Sequence, residues 1–203
     1  MDSTVLGWRK QKRTELIAAR QAMSAAACHG ATATIGEKLS RVVLPRVTIA
    51  LGMYWPIRHE VNLLSWARGL AQSGRVTLCL PVVVARQAPV EYWRWVPDGP
   101  MEKGAWDIPV PAQREVMHPD VVLAPLVGFD RAGFRLGYGS GYFDRTLAAA
   151  DPRPTAIGVG YMACGLDTIF PQAHDIAMHA IITEGEDILP AALAGNAGGE
   201  HAR

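Results

Sequence analysis

Five short apolar runs constrain this chain most: VTIALGMY (47–54), VTLCLPVVV (76–84), DVVLAPLV (120–127), TAIGVGY (155–161) and MHAIIT (178–183). Each is too short for a core helix and rich in residues that favour strands, so each reads as a strand, the more continuous ones as buried strands. Between the first two lies NLLSWARGLAQSG (62–74), whose pattern is helical, with Asn62 as N-cap and Gly74 beyond the C-terminus. Strand, helix, strand in that order predicts a βαβ unit and a parallel strand pair.

The remaining segments fill in around that unit. Residues 5 to about 27, rich in Ala, Leu, Arg and Gln, predict a first helix, and TATIGEKLSRVV (32–43) predicts a second, stopped by Pro45. VEYWRWV (90–96) reads as a short edge strand, with Trp93 and Trp95 on one face as packing residues. MEKGAWDIPVPAQ (101–113) reads as a Gly/Pro-punctuated loop, and YFDRTLAAA (142–150) as a helix. Residues 190–203 lack apolar periodicity and are expected to form a disordered tail behind a single domain, residues 1–189. No repeat or interdomain linker is evident.

Composition narrows the function. The chain has 203 residues, 49% hydrophobic and 19% charged, with a formal net charge of +1, which argues against a general nucleic-acid binder. The one basic run, RKQKR (9–13), reads equally as a solvated helix face or a phosphate-binding one. Cys28, Cys79 and Cys164 are scattered without C-x-x-C spacing, suggesting neither zinc nor a disulfide framework. The first residues lack the apolar core of a signal peptide, and no run is long enough to span a membrane. A cytoplasmic location with no membrane or nucleic-acid partner is expected.

The chemistry concentrates in GFDRAGFRLGYGSGYFDRTL (128–147). Gly137, Gly139 and Gly141 alternate with other residues and are followed at once by Tyr142, Phe143, Asp144 and Arg145. Strand, glycine-rich turn, helix is an anion-binding order: missing Cβ atoms admit a ligand to the backbone, and the opening N–H groups of the helix are unpaired. Arg135 and Arg145 flank the turn and can pair with phosphate oxygens. G-x-G-x-G is neither the dinucleotide fingerprint nor a Walker loop, so the glycines alone read first as a tight turn. Asp144 suits the helix dipole, or a Mg²⁺ shared with phosphate oxygens.

Arg135 to Asp144 resembles the R-x-G-x-G-x-G-Y-Y-D signature of the 5-formyltetrahydrofolate cyclo-ligase (5,10-methenyltetrahydrofolate synthetase) family, and similarity extends from KRTELIAARQAMS to HDIAMHAIITE. The resemblance implies a three-layer α/β domain, a mostly parallel sheet with helices on both faces. It implies ATP- and Mg²⁺-dependent closure of 5-formyltetrahydrofolate to 5,10-methenyltetrahydrofolate with release of ADP and phosphate, in a monomer or weak homo-oligomer. It gives Arg135, Tyr142 and Asp144 catalytic roles. It assigns ATP to Arg9, Lys10, Arg13, Arg135, Gly137, Tyr138, Gly139, Ser140, Gly141, Tyr142 and Phe143. Folate falls to Trp55, Glu60, Trp106 and the loop from Tyr138 to Tyr142, and the metal to Asp144 and Asp175. Asp144→Asn is then expected to fold with little loss of stability while needing more Mg²⁺.

Two positions depart from the family pattern. Phe143 stands where Tyr is usual, and His179 replaces an acid. They motivate an alternative, a folate- or nucleotide-binding relative without turnover. For His174 a structural role is expected.

Overall fold

In a computed structural model, which describes residues 3–43 and 49–190, all five apolar runs lie side by side at the centre of one sheet. The helices are α1 (Ser3–Gln21), α2 (Ala25–Val43), α3 (Leu64–Ala71) and α4 (Tyr142–Ala149). The strands in the first half of the chain are β1 (Ile49–Gly52), β2 (Val76–Val82), β3 (Glu91–Arg94), β4 (Met101–Lys103), β5 (Pro109–Pro111) and β6 (Val116–Met117). The second half adds β7 (Val121–Pro125), β8 (Gly128–Asp130), β9 (Arg135–Leu136), β10 (Thr155–Val159), β11 (Gly165–Leu166), β12 (Ala180–Ile182) and β13 (Asp187–Ile188).

The main sheet has eight strands in the order β13-β12-β10-β7-β1-β2-β3-β6. Its central strands, from β12 to β2, are mutually parallel, and β13, β3 and β6 join antiparallel at the edges. Parallel strands need both faces covered. On one face Leu51, Leu78, Leu80 and Leu123 pack with Ile35 and Leu39 of α2 and Ala67 and Leu70 of α3. On the other, a smaller cluster of Cys79, Val90, Tyr92 and Val122 meets Tyr142 and Phe143 at the start of α4. Gly52 makes that second cluster possible: a Cβ there would lie 2.9 Å from the Tyr92 ring. The three-layer α/β domain expected from the sequence is the fold observed.

Several local expectations are corrected. The first helix ends at Gln21 rather than near residue 27, because Ser24 Oγ accepts from Ala27 N–H (3.2 Å) and starts a new helix. Pro45, expected to stop the second helix, lies outside the described residues. Asn62 caps through Leu64 N–H (3.1 Å) but sits one residue earlier than the N-cap position, and Gly74 turns left-handed (φ +68°) beyond α3. The segment 101–113 is not a plain loop: β4 and β5 pair as a hairpin. β3 is next to the edge, covered by β6. Trp95 is buried, as a packing residue should be. A small β8–β9 hairpin intervenes between β7 and the glycine turn.

The cysteines are all free. No described helix is long and apolar enough to cross a membrane. Pro190 is buried against Gly133, and the residues after it lie outside the described part.

Candidate functional site

The site is assembled by α1, which crosses the carboxyl edge of the sheet. Its buried residues are Arg9 and Arg20, not apolar side chains. Positions 9, 13 and 20 share one helix face, since offsets of four and eleven residues are close to whole turns. Arg9 donates to the Ile169 and Phe170 carbonyls (2.9 and 3.0 Å) and forms an ion pair with Asp175. Arg13 Nε donates to the Gly137 carbonyl (2.7 Å), so the basic run and the glycine turn are in contact. Burial, then the neighbouring Arg9, lowers the Arg13 pKa, a sign of crowded positive charge. Lys10 is exposed and makes no ion pair among the described residues, so the helix register turns Arg9 inward instead.

The glycine turn is built to be approached. Gly139 (φ +98°) and Gly141 (φ +66°) are left-handed, which costs an L side chain roughly 1–2 kcal/mol. A Cβ at Gly139 would lie 3.4 Å from the Arg13 guanidinium carbon, and one at Gly137 would lie 2.7 Å from Arg135 Nη1. Arg145 Nη2 donates to the Ser140 carbonyl (2.5 Å), and its guanidinium stands over the Tyr142 ring at 5.1 Å. Gly141 is the N-cap of α4 and offers no side-chain cap, which leaves the helix N-terminus open. Trp106, 66% exposed and itself left-handed (φ +56°), meets Tyr142 edge-on at 5.8 Å.

Four buried side-chain atoms among the described residues lack a hydrogen-bond partner: Glu60 Oε1, Tyr92 Oη, Arg135 Nε and Arg145 Nε. An unmet buried polar group costs about 1–3 kcal/mol, more when charged. Two of these are guanidinium nitrogens flanking the glycine turn, an unmet demand for an anion. A third is the Glu60 carboxylate, an unmet demand for a donor.

Glu60 follows β1 on a turn whose preceding residues, Arg58 and His59, are both left-handed (φ +47° and +60°). Its Oε2 accepts from Ile57 N–H at 3.0 Å. Burial pushes its pKa up, against the opposing pull of Ile57 N–H, Arg20 and Tyr138. A cavity of about 720 Å³ between α2 and the start of α3 reaches Glu60 but no residue of the glycine turn. Trp55 packs edge-on against Trp95 (6.4 Å between ring centroids).

Asp144 Oδ2 accepts from Arg135 at 2.9 Å, and Oδ1 accepts from Ile176 N–H at 3.2 Å. Asp175 is the residue before Ile176, so its backbone adjoins Asp144, while its own carboxylate is held by Arg9 and the Gln172 N–H. Burial raises the Asp175 pKa, but Arg9 and the Gln172 N–H outweigh it and hold it below the usual range. No group of three potential ligands occurs among the described residues. The donor set nonetheless fits Mg²⁺, which typically takes one or two carboxylates and completes its shell with water and substrate phosphates.

The two departures from the family pattern have structural roles. Phe143 places its ring under the Arg135 guanidinium at 5.2 Å. His179 Nδ1 accepts the Ala156 N–H at 3.0 Å at the start of β10, a hydrogen bond that a carboxylate can also accept. His174 is exposed, 3.8 Å from Asp175 Oδ1. Sequence reasoning missed Arg20 and Arg58, although the shared face of Arg9, Arg13 and Arg20 was readable from their spacing. Arg20 donates to the Arg58 carbonyl (3.0 Å), the Leu126 carbonyl (3.1 Å) and the Tyr138 hydroxyl (2.7 Å). Arg58 stacks over the Tyr138 ring at 5.4 Å.

Known proteins agree with this architecture. The 5-formyltetrahydrofolate cyclo-ligase family model matches residues 5–184. A 5-formyltetrahydrofolate cyclo-ligase of Mycolicibacterium smegmatis is 29% identical over 189 residues, 89% of this chain and 96% of that protein. One of Haemophilus influenzae is 24% identical over 181 residues, 86% of this chain and 96% of that protein. The 5,10-methenyltetrahydrofolate synthetase of Aquifex aeolicus superposes with a TM-score of 0.79 at 24% identity, covering 95% of this chain and 96% of that one. That of Mycoplasma pneumoniae gives 0.73 at 22% identity, covering 87% and 98%. The chain belongs to the 5-formyltetrahydrofolate cyclo-ligase family.

Proposed function

We propose that this protein closes 5-formyltetrahydrofolate to 5,10-methenyltetrahydrofolate at the expense of ATP, releasing ADP and phosphate. The observation that carries the reading is the set of unmet buried groups. Arg135 and Arg145, whose Nη1 atoms border Gly137 and Gly141, each keep a buried Nε without a partner, and Glu60 Oε1 is free to accept from a donor-rich ring such as a pterin.

An amide oxygen is a poor leaving group, so the formyl oxygen first takes the γ-phosphoryl group of ATP and ADP departs. The folate N10 lone pair then attacks the activated carbon, N10 loses its proton, and the C–O bond to phosphate breaks. Phosphoryl transfer depends chiefly on positioning and charge stabilisation. Arg13, Arg135, Arg145 and the backbone N–H groups opening α4 supply these for the phosphates. Asp144 and Asp175 would hold Mg²⁺, which when bound offsets phosphate charge. Trp106 and Tyr142 offer aromatic faces to the folate, and no protein nucleophile is required.

The test is ATP-dependent appearance of methenyltetrahydrofolate absorbance with purified protein, with ADP measured in parallel. Product and ADP in equal amounts, dependent on added Mg²⁺, is the expected result. Folate and nucleotide binding without product would make this a binding relative instead.

A further inference from the structure

Arg20 has no place in the scheme above, yet it is 2% exposed and joins three separate parts of the site. Its Nε holds the carbonyl of Arg58, inside the left-handed turn that presents Glu60. Its Nη1 holds the Leu126 carbonyl just beyond β7. Its Nη2 holds the hydroxyl of Tyr138, which lies between Gly137 and Gly139 in the glycine turn.

The Tyr138 oxygen accepts from Arg20, so its own proton is directed elsewhere. Glu60 Oε1 is buried without a hydrogen bond, and the Glu60 carboxylate and the Tyr138 hydroxyl are close enough to influence each other. Burial pushes Tyr138 up to about 12, so it stays a donor at neutral pH. Any shift of the glycine turn therefore moves the donor that faces the folate acid.

We infer that Arg20 is a positioning residue that locks the Glu60 turn and the glycine turn into one register, so that filling the nucleotide loop tightens the grip on folate. This rests on the reading of the two sites given above. Lysine at position 20 would keep the charge but not the planar fork that reaches three acceptors at once. Tyr138→Phe would remove the bond to Arg20 and the interaction with Glu60 while keeping the ring under Arg58.

The experiment measures 5-formyltetrahydrofolate affinity by calorimetry, with and without a saturating non-hydrolysable ATP analogue, for wild type, Arg20→Lys and Tyr138→Phe. Thermal melts and wild-type turnover are recorded alongside. Site–site coupling is commonly about 5- to 150-fold. The expected result is a wild-type enhancement in that range, falling to within about twofold of unity in both variants. Nucleotide affinity alone should stay near the wild-type value in Arg20→Lys, since Arg20 is not among the residues assigned to either ligand. If the Tyr138 hydroxyl serves only to bind folate directly, Tyr138→Phe weakens both states equally and leaves the ratio intact, and that result overturns the inference. So does a wild-type ratio of one with normal turnover. If wild type neither binds nor converts the folate, the functional reading fails and the coupling fails with it. Should Arg20→Lys not fold, Tyr138→Phe decides alone.

Discussion

Replacing Asp144 by Asn separates charge from shape at the centre of the site. The sequence suggests that this variant folds with little loss, but its partner changes that expectation. Arg135 and Asp144 lie 2.9 Å apart with side chains 5% and 15% exposed. Arg135 already has one buried nitrogen unpaired. Removing one member of a buried ion pair costs roughly 3–5 kcal/mol. Asp144 is not wholly buried, and Asn can still accept from Ile176 N–H, so about 2–4 kcal/mol is expected. At about 2–4 °C per kcal/mol for a chain of this length, Tm should fall by roughly 5–15 °C. The assay is thermal unfolding at neutral pH for wild type, Asp144→Asn, Arg135→Gln and the double variant. Because the loss comes from a stranded cation, the double variant should recover at least half of it. Inorganic phosphate should raise Tm more for Asp144→Asn than for wild type. A single-variant Tm within about 2 °C of wild type refutes the reasoning.

Gly139→Ala forces a side chain onto a left-handed residue beside Arg13, costing at least about 1–2 kcal/mol and weakening nucleotide binding in calorimetry; unchanged nucleotide affinity would reduce the glycines to a turn. Glu60 has its pKa raised in the fold, so its charged form costs stability as pH rises from the reference value of 4.5 through the higher folded value. Glu60→Gln should therefore melt at or above wild type at neutral pH, with the gain disappearing under more acidic conditions, while folate affinity drops roughly ten- to 150-fold and nucleotide affinity holds. Equal losses for both ligands would make Glu60 structural. His179→Ala, which removes the acceptor for Ala156 N–H, should lose about 1 kcal/mol, and His179→Asp should lose less than half of that in urea titrations. A chain ending at Pro190 should retain turnover, checked by the absorbance assay.

The central strands were legible because a fully buried parallel strand can hardly be anything but a short apolar run. The glycine turn was legible because only glycine takes φ near +98° cheaply, as at Gly139. What could not be read was set by distant partners. Whether RKQKR faced solvent or ligand depended on Gly137, far along the chain, which Arg13 contacts. The β4–β5 hairpin has pairs such as Glu102 with Val110, in a segment whose Gly and Pro content reads locally as loop. Asp144 looked like a metal ligand or a helix-dipole residue, and its pairing with Arg135 is a tertiary fact. Arg20 was missed because an arginine in the last turn of a helix usually reaches solvent, while this one is enclosed by three acceptors.

The attachment of α1 has a practical consequence for anyone handling the protein. Its inward grip runs through guanidinium groups on the carbonyls of Ile169, Phe170, Gly137, Arg58 and Leu126. Guanidinium chloride brings the same chemical group to those carbonyls at molar concentration, as a direct competitor. Urea also donates to carbonyls but has no charge with which to contest the Arg9–Asp175 ion pair. Below the global midpoint, amide exchange along α1 should accelerate in guanidinium well before it does in urea of matched denaturing strength. A solute that leaves the sheet standing would then remove the arginines from the glycine turn.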